Sequence, residues 1–295
     1  MTNGFRFSLV LAIAFVTILT SHAQLFTLSR EDMIKYTAKN PFDRFPDGRP
    51  KVPDALLDKV KGLSLEEVFP VLQSARFINQ YEGNWRILHP ERKLVGRAVT
   101  AHFMPLRADV AEVSEADAKA KGLGNNANQR VIDLLQPGDV LVVDLFGKVE
   151  NGTIVGDNLA SAIYAATRTG FVVDGSIRDL TGIFEIPMAA YFRNVHPSAI
   201  GNVMLTGVNI PVRIGSAIVM PGDVVLGDRE GVYFIPPQFV QEIVTKAETT
   251  HIHDEWTKAK LLTGKYKSSD LYPSPKDPEL KKEYEEYLKK KLGKQ

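Results

Sequence analysis

Cysteine is absent from all 295 residues. That single absence removes disulfide scaffolds, thiolate zinc sites, iron–sulfur clusters and cysteine nucleophiles together. An excess of one charge is lacking too: 36 Lys and Arg stand against 35 Asp and Glu, a net charge of +1 spread over both halves of the chain. A chain built to bind DNA or RNA carries a basic excess or a basic face, so no nucleic-acid partner is expected. Also missing are a glycine-rich phosphate loop, a Gly-x-Ser-x-Gly elbow and a His-Glu-x-x-His pair. Six histidines are scattered, and His251 and His253 form the only close pair. On a helix, positions i and i+2 face different ways, so that pair makes a poor metal clamp. What remains is a composition of 44% apolar and 24% charged residues, which fits one large globular domain or two modest ones.

One apolar run stands out. Phe7 to Thr20 carries no charge, follows Arg6 and precedes Ser21-His22-Ala23-Gln24. A basic start, an apolar stretch and a small-x-small ending make up a secretory signal, with cleavage expected after Ala23. The run is short of the ~20 residues of a spanning helix, so no stable membrane anchor is expected. A buried core helix is the alternative, and Arg6 and the Ser-His-Ala ending speak against it. The mature chain is thus expected to be exported, periplasmic or secreted, with 35 basic and 35 acidic side chains once Arg6 is removed.

Residues 24–55 are broken by Pro41, Pro46, Gly48, Pro50 and Pro53, and predict a short capped helix over Ser29–Lys39 followed by an extended arm. Asp54–Lys61 and Ser64–Ser74 have helical spacing, the second opening with a Ser64…Glu67 capping box. Leu94 to Phe103 reads as a strand, and Gln129–Leu135 as a helix stopped by Pro137. Then Pro-Gly-Asp-Val-x-x-x-Asp-x-x-Gly occurs twice, from Pro137 and from Pro221, 84 residues apart. Each copy is a Pro-Gly turn, an apolar strand and an acidic-glycine exit, which predicts two equivalent strands in one sheeted core. Between them come a helix (Leu159–Arg168) and strands at Gly170–Asp174, Ala189–Phe192 and Ile210–Val219. Strands alternating with helices place the chain in the α/β class. A helix from Phe239 to about Leu262 follows, then a Lys-, Glu- and Tyr-rich tail (263–295) ending in a charged helix, Pro278–Lys291, read as a solvated surface element.

The stretch from Gly152 to Gly182 carries the chemistry. Gly156-Asp157-Asn158-Leu159 stands just before an Ala-rich helix, whose first-turn amides and dipole favour an anion such as a substrate carboxylate. Asp157 or Asn158 acting merely as a helix cap explains the same residues. Next, the apolar strand Gly170–Asp174 leads to Gly175-Ser176-Ile177-Arg178-Asp179, and ligand sites in α/β sheets cluster at such strand exits. Arg178 can grip a carboxylate and Asp179 can hold a hard cation, although a surface ion pair accounts for the dipeptide equally well.

Asp157, twenty residues and Arg178-Asp179 resemble the Asp-x20-Arg-Asp signature of the RraA-like superfamily. That group includes class II 4-hydroxy-4-methyl-2-oxoglutarate aldolases with oxaloacetate decarboxylase activity and the RraA regulators of RNase E, and its members often carry a demethylmenaquinone methyltransferase label. Leu94–Thr100, both Pro-Gly-Asp-Val strands, Gly156–Leu159, Val173–Asp179 and Asp228-x-x-Gly231-Val232 resemble its blocks in order, over roughly Leu56 to Leu262. The resemblance implies a layered β/β/α "swivelling" catalytic domain at 56–262, between the arm and the tail. It also implies that Gly156, Asp157, Asn158 and Leu159 bind an α-keto acid and that Arg178 clamps its oxygens. Asp179 would ligate a divalent metal, usually Mg²⁺ with Mn²⁺ as a substitute, and Asp157 would hold water on that metal. A further carboxylate, Glu255 or Asp254 beside it, would arrive from a neighbouring subunit in a homotrimer or dimer of trimers.

One position departs from the pattern: Gly182 stands where the extended signature has an acidic residue. The expectation is a metal-dependent lyase that cleaves a C–C bond of a small α-keto acid through a pyruvate enolate. The alternative is an exported, non-catalytic RraA-like protein that binds a ligand or another protein. Export separates this chain from RNase E, which lies on the cytoplasmic side. The methyltransferase label has no glycine-rich loop behind it.

Overall fold

Ser29 caps the first helix, its hydroxyl accepting the Asp32 amide at 3.0 Å. The computed structural model describes residues 27–120, 122–124 and 126–293; the signal segment expected at 1–23 lies outside them. Helix α1 (Arg30–Tyr36) is followed by α2 (Asp54–Val60) and α3 (Leu65–Ser74), and α3 opens on the anticipated Ser64/Glu67 capping box. Short strands β1 (Tyr81–Glu82) and β2 (Arg86–Leu88) lead into the long β3 (Leu94–Pro105). Helices α4 (Ala108–Ala120) and α5 (Ala127–Ile132) precede β4 (Asp139–Val155), α6 (Asp157–Thr167), β5 (Phe171–Ile177), α7 (Leu180–Phe184) and β6 (Ala190–Val195). Then come β7 (Val203–Val208), β8 (Val212–Ile214), β9 (Ala217–Val219), β10 (Val224–Gly227) and β11 (Val232–Ile235). Helices α8 (Pro237–Leu261), α9 (Ser268–Leu271) and α10 (Pro278–Leu292) follow.

Helices α4, α7 and α9 and strands β1, β2, β7 and β11 are additional to the sequence pattern, and one expected strand is replaced. Helix α4 carries no apolar stripe, burying only Ala118, so periodicity gives no sign of it. Ile210–Val219 is a hairpin rather than one strand, because Gly215 turns the chain at φ 57° and lets β8 pair antiparallel with β9.

The main sheet runs β1-β11-β10-β3-β4-β5-β6-β2, with β7 joined to the far half of β3. Strands β3, β4, β5 and β6 are parallel, and β10 is antiparallel to β3. The two Pro-Gly-Asp-Val copies become β4 and β10, on either side of β3. Their turns are alike: Gly138 and Gly222 sit at φ 80° and 87°. Asp139 and Asp223 each accept the amide three residues earlier, Gln136 at 3.1 Å and Met220 at 2.8 Å.

Alternation along β4 and β5 makes the layers. Leu141, Val143, Phe171 and Val173 pack under α5 and α6 against Val131, Ala160 and Ile163. Val140, Val142 and Val172 face the other way, against Ile214, Ala217 and Val219 of the hairpin. Hairpin, sheet and helices form the anticipated β/β/α layering. A third cluster binds α2, α3 and α8 to the β10–β11 edge.

The arm joins this core. Buried Arg49 reaches buried Asp139 with bonds of 2.7 and 3.2 Å, and Arg97 donates to the Val52 carbonyl at 2.7 Å. The tail helix α10 lies on α8, with Tyr284 against Trp256 and His253 and Glu283 bonded to Lys260 at 2.6 Å. No helix among the described residues is long and apolar enough to cross a membrane.

Candidate active site

The site is assembled by register. Val155 at the end of β4 pairs with Ile177 at the end of β5, and Ile177 pairs with Val195 at the end of β6. The next residue of each strand, Gly156, Arg178 and His196, therefore emerges beside its neighbours. Backbone bonds repeat the step: Arg178 N–H to Val155 O at 3.0 Å, and His196 N–H to Ile177 O at 3.1 Å. The twenty residues between Asp157 and Arg178 are one helical crossover, α6 and its return strand, as a parallel pair requires.

Gly156 is the N-cap of α6 and brings no side chain to that end. Asp157 is the first residue of α6 rather than its cap, and its carboxylate accepts the Asn158 amide at 2.8 Å. Leu159 N–H has no side-chain acceptor among the described residues. Asn158 is exposed, whereas Leu159 packs partly into the core beneath α6. A Cβ at 156 would lie 2.5 Å from Asp179 Oδ2 and 3.3 Å from Arg178 Nε, so any larger residue there displaces the Asp179 carboxylate.

Arg178 and Asp179 form an ion pair at 3.2 Å, and each is about two-fifths exposed (41% and 43%). Asp179 has a left-handed backbone, φ 58°, a conformation that costs a non-glycine residue of the order of 1 kcal/mol or more and clusters at functional positions. Gly182, one turn into α7, abuts Asp157. A loop after β6 completes the surroundings, and Arg178, Asp179, Leu180, Val195, His196 and Pro197 line a cavity of about 300 Å³.

Four larger cavities, of about 600, 590, 560 and 480 Å³, lie by the arm, by His102 and Asp144, by the tail around Tyr266 and Glu283, and beside α3 at Phe69 and Phe77. The smaller one has the stronger claim to chemistry, because it gathers an arginine, an aspartate and a histidine at adjacent parallel strand ends, the usual ligand position of such sheets.

Glu255 is not brought to this cavity within the chain. It lies on α8, 55% exposed, with Lys291 of the tail helix donating to both carboxylate oxygens at 2.8 and 2.9 Å. That lysine holds the Glu255 carboxyl below the usual carboxylate range. Asp254 lies 3.6 Å from Lys258 and 3.5 Å from His253. His251 is bound to Glu67 at 2.6 Å, away from His253.

His196 is the member of the site that sequence reading missed. The signal was available only as a third apolar stretch followed by Asn194-Val195-His196. No spacing rule marks it without knowing that β6 is parallel to β5.

Among the described residues no group of three or more His, Cys, Asp or Glu side chains is arranged to enclose a metal. Asp179 offers a hard carboxylate oxygen beside Gly156, and Asp157, the residue after Gly156, lies against Gly182. Such a sparse donor set fits a cation that keeps most of its own water, as Mg²⁺ does, and not a dehydrated all-protein cage.

Residues 54–234 match the family model described as RraA-like: Aldolase/RraA. A relative from Halalkalibacterium halodurans, named a putative 4-hydroxy-4-methyl-2-oxoglutarate aldolase, is 28% identical over 158 residues, 53% of this chain and 75% of its own. The crystal structure of RraAS2 from Streptomyces coelicolor, described as an unusual member of the RNase ES inhibitor RraA protein family, aligns with a TM-score of 0.61 at 26% identity, covering 72% of this chain and 100% of its own. An uncharacterized protein from Pseudomonas syringae has the same fold at 22% identity, with a TM-score of 0.61 over 77% of this chain and 94% of its own.

Proposed function

The chain belongs to the RraA-like family, and from that membership we propose that it is a divalent-metal-dependent lyase acting on a small α-keto acid. The reaction is aldol cleavage of a 4-hydroxy-4-methyl-2-oxoglutarate-type substrate or decarboxylation of an oxaloacetate-type one. The observation that carries the reading is the convergence of Gly156, Arg178 and Asp179 at in-register strand ends, against the start of α6.

In this mechanism the first-turn amides of α6 that Asp157 leaves free bind the keto acid's carboxylate, where the helix dipole favours negative charge. Arg178 donates to the α-keto oxygen. As the C3–C4 bond breaks, the C4 hydroxyl of the aldol substrate gives its proton to water and C4 leaves as the carbonyl carbon of the second keto acid (from oxaloacetate it leaves as CO2). The bond's electron pair stays with the pyruvyl fragment and delocalises onto the α-keto oxygen, so the guanidinium meets a growing negative charge. Asp179 would hold Mg²⁺ (or Mn²⁺), which when bound supplies further positive charge for the same oxygen. Asp157, fixed by the Asn158 amide, orients water beside Asp179. Protonation of C3 then gives pyruvate.

The test is pyruvate release by the purified protein with Mg²⁺, from 4-hydroxy-4-methyl-2-oxoglutarate and from oxaloacetate. Turnover above the metal-only background that EDTA abolishes supports the reading, and none on either compound ends it. Gly182 favours a second reading, because the family pattern's acid is missing there: a protein that binds keto acids or another protein without turnover. Binding by calorimetry with no pyruvate released would favour it.

Export after cleavage near Ala23 and assembly as a homotrimer or dimer of trimers, with Glu255 offered to a neighbouring site, belong to the same proposal. N-terminal sequencing and light scattering test them.

A further inference from the structure

His196 belongs to none of the motifs that mark the site, yet the sheet delivers it there as the third member of the row Gly156, Arg178, His196. Its ring is held in one state. Ser198 N–H donates to Nδ1 at 3.3 Å, and Ser198 Oγ lies 2.8 Å from the same nitrogen. Ser198 Oγ also accepts the Asn151 amide at 2.7 Å. A backbone N–H can only donate, so Nδ1 is an acceptor and the ring proton sits on Nε2. In this tautomer Nε2 gives a hydrogen bond and cannot take one, which suits recognition of an oxygen rather than removal of a proton.

Nε2 has no partner among the described residues, and the residue lines the cavity that holds Arg178 and Asp179. The rest of the lining is Leu180, Val195 and Pro197. One cation, paired on one side with Asp179, and one fixed N–H donor among apolar walls match a short aliphatic acid with an oxygen acceptor at each end. An N–H donor binds an ionised acceptor more strongly than a neutral one.

We propose that His196 is a specificity-determining residue whose Nε2–H binds the distal carboxylate of a dicarboxylic substrate while Arg178 holds the α-keto acid end. Ser198 is the positioning residue that keeps the proton on Nε2. This deepens the keto-acid reading and rests on it for the identity of the reaction.

Two measurements test it on the purified protein. In ¹⁵N-histidine spectra, His196 shows the Nε2–H tautomer, and Ser198→Ala gives a mixture of tautomers. In titrations without turnover, with and without Mg²⁺, malate binds about tenfold more tightly than lactate, the same molecule without the second carboxylate. His196→Ala removes most of that preference and leaves lactate binding unchanged, while His196→Asn, which keeps an N–H donor, restores part of it. In turnover, His196→Ala raises KM for oxaloacetate about tenfold with a smaller change in kcat.

A proton on Nδ1 in the wild type, or a malate preference that survives His196→Ala, overturns the assignment. Absence of any malate preference in the wild type also overturns it, whether or not pyruvate is released. A malate preference lost in His196→Ala, in a protein that releases no pyruvate, keeps the recognition role and ends the lyase reading.

Discussion

Gly182 stands directly against Asp157: a Cβ at position 182 would come 2.8 Å from both the Cβ and Oδ2 of Asp157. The acidic residue that the family pattern has there would need the space Asp157 occupies in this chain. Gly182 is thus part of how Asp157 is seated, and its departure from the pattern is a packing relationship as well as a lost carboxylate. Gly182→Glu is expected to lower stability by about 1–3 kcal/mol through this overlap, and to leave keto-acid turnover no higher. A thermal melt with unchanged midpoint, or a rise in turnover, would contradict this.

Gly156→Ala separates site geometry from folding. Gly156 has φ −113°, so alanine meets no backbone strain, but its methyl would press on the end of the Asp179 side chain. Asp179 is about half exposed and can swing away, so the melting temperature should hardly move. A catalytic group displaced by about 1 Å can cost roughly a hundredfold in rate, and a loss of that order is expected in pyruvate release. Full activity in Gly156→Ala would argue against Asp179 as a working residue.

Arg178 and Asp179 should fail differently. Arg178→Ala removes the donor to the developing oxyanion, and turnover should drop by about 10²–10³ while Mg²⁺ affinity, read by calorimetry, stays. Asp179→Ala should lose Mg²⁺ binding along with activity. Two variants with wild-type behaviour would place the chemistry elsewhere.

The arm is expected to matter for stability through one buried pair. Arg49 and Asp139 are 2% and 0% exposed, and the guanidinium bonds both carboxylate oxygens. Removing one partner leaves a buried charge alone, which costs about 3–5 kcal/mol. Arg49→Ala should show that loss in urea unfolding, whereas replacing the exposed Asp58, paired with Lys61 on the surface, should change little.

Asp223 is the counterpart of Asp139 in the second Pro-Gly-Asp-Val copy, but among the described residues no arginine bonds to it. Burial pushes its carboxyl up to about 7, with the Met220 amide as the one opposing influence. The folded state therefore holds this proton more tightly than the unfolded chain, where an aspartate titrates near about 3.9. The stabilising contribution is complete below about pH 4 and is lost as pH rises through about 7, an effect of the order of a few kcal/mol. Asp223→Asn, which still accepts the Met220 amide, should unfold like the wild type near pH 4 and be the more stable protein at pH 8. Parallel pH profiles for the two proteins would refute this.

Local signals carried a large part of the fold. The capping residues at Ser29 and Ser64 and the apolar run of β5 each act within a few neighbours, so they can be read along the chain. Helix α4 escaped because its stability does not come from an apolar stripe. The turn at Gly215 escaped because one glycine among β-branched residues fits a strand as well as a hairpin. Among the candidate site residues, Asp157, Arg178 and Asp179 stood out through their resemblance to the family signature, and the twenty-residue gap in that signature is the length of one α6 crossover between in-register strands.

The sequence by itself determined the α/β class, the pair of Pro-Gly-Asp strands and the absence of any thiol chemistry, because composition, periodicity and turn residues are local quantities. Tertiary structure decided which strand ends lie side by side. The register of β4, β5 and β6 put His196 next to Arg178, set Gly156 against Asp179 and wedged Gly182 against Asp157. Packing of α10 on α8 left Glu255 in the hold of Lys291. None of these contacts follows from distance along the chain, since each depends on how parallel strands align across a sheet and which helix packs on which face.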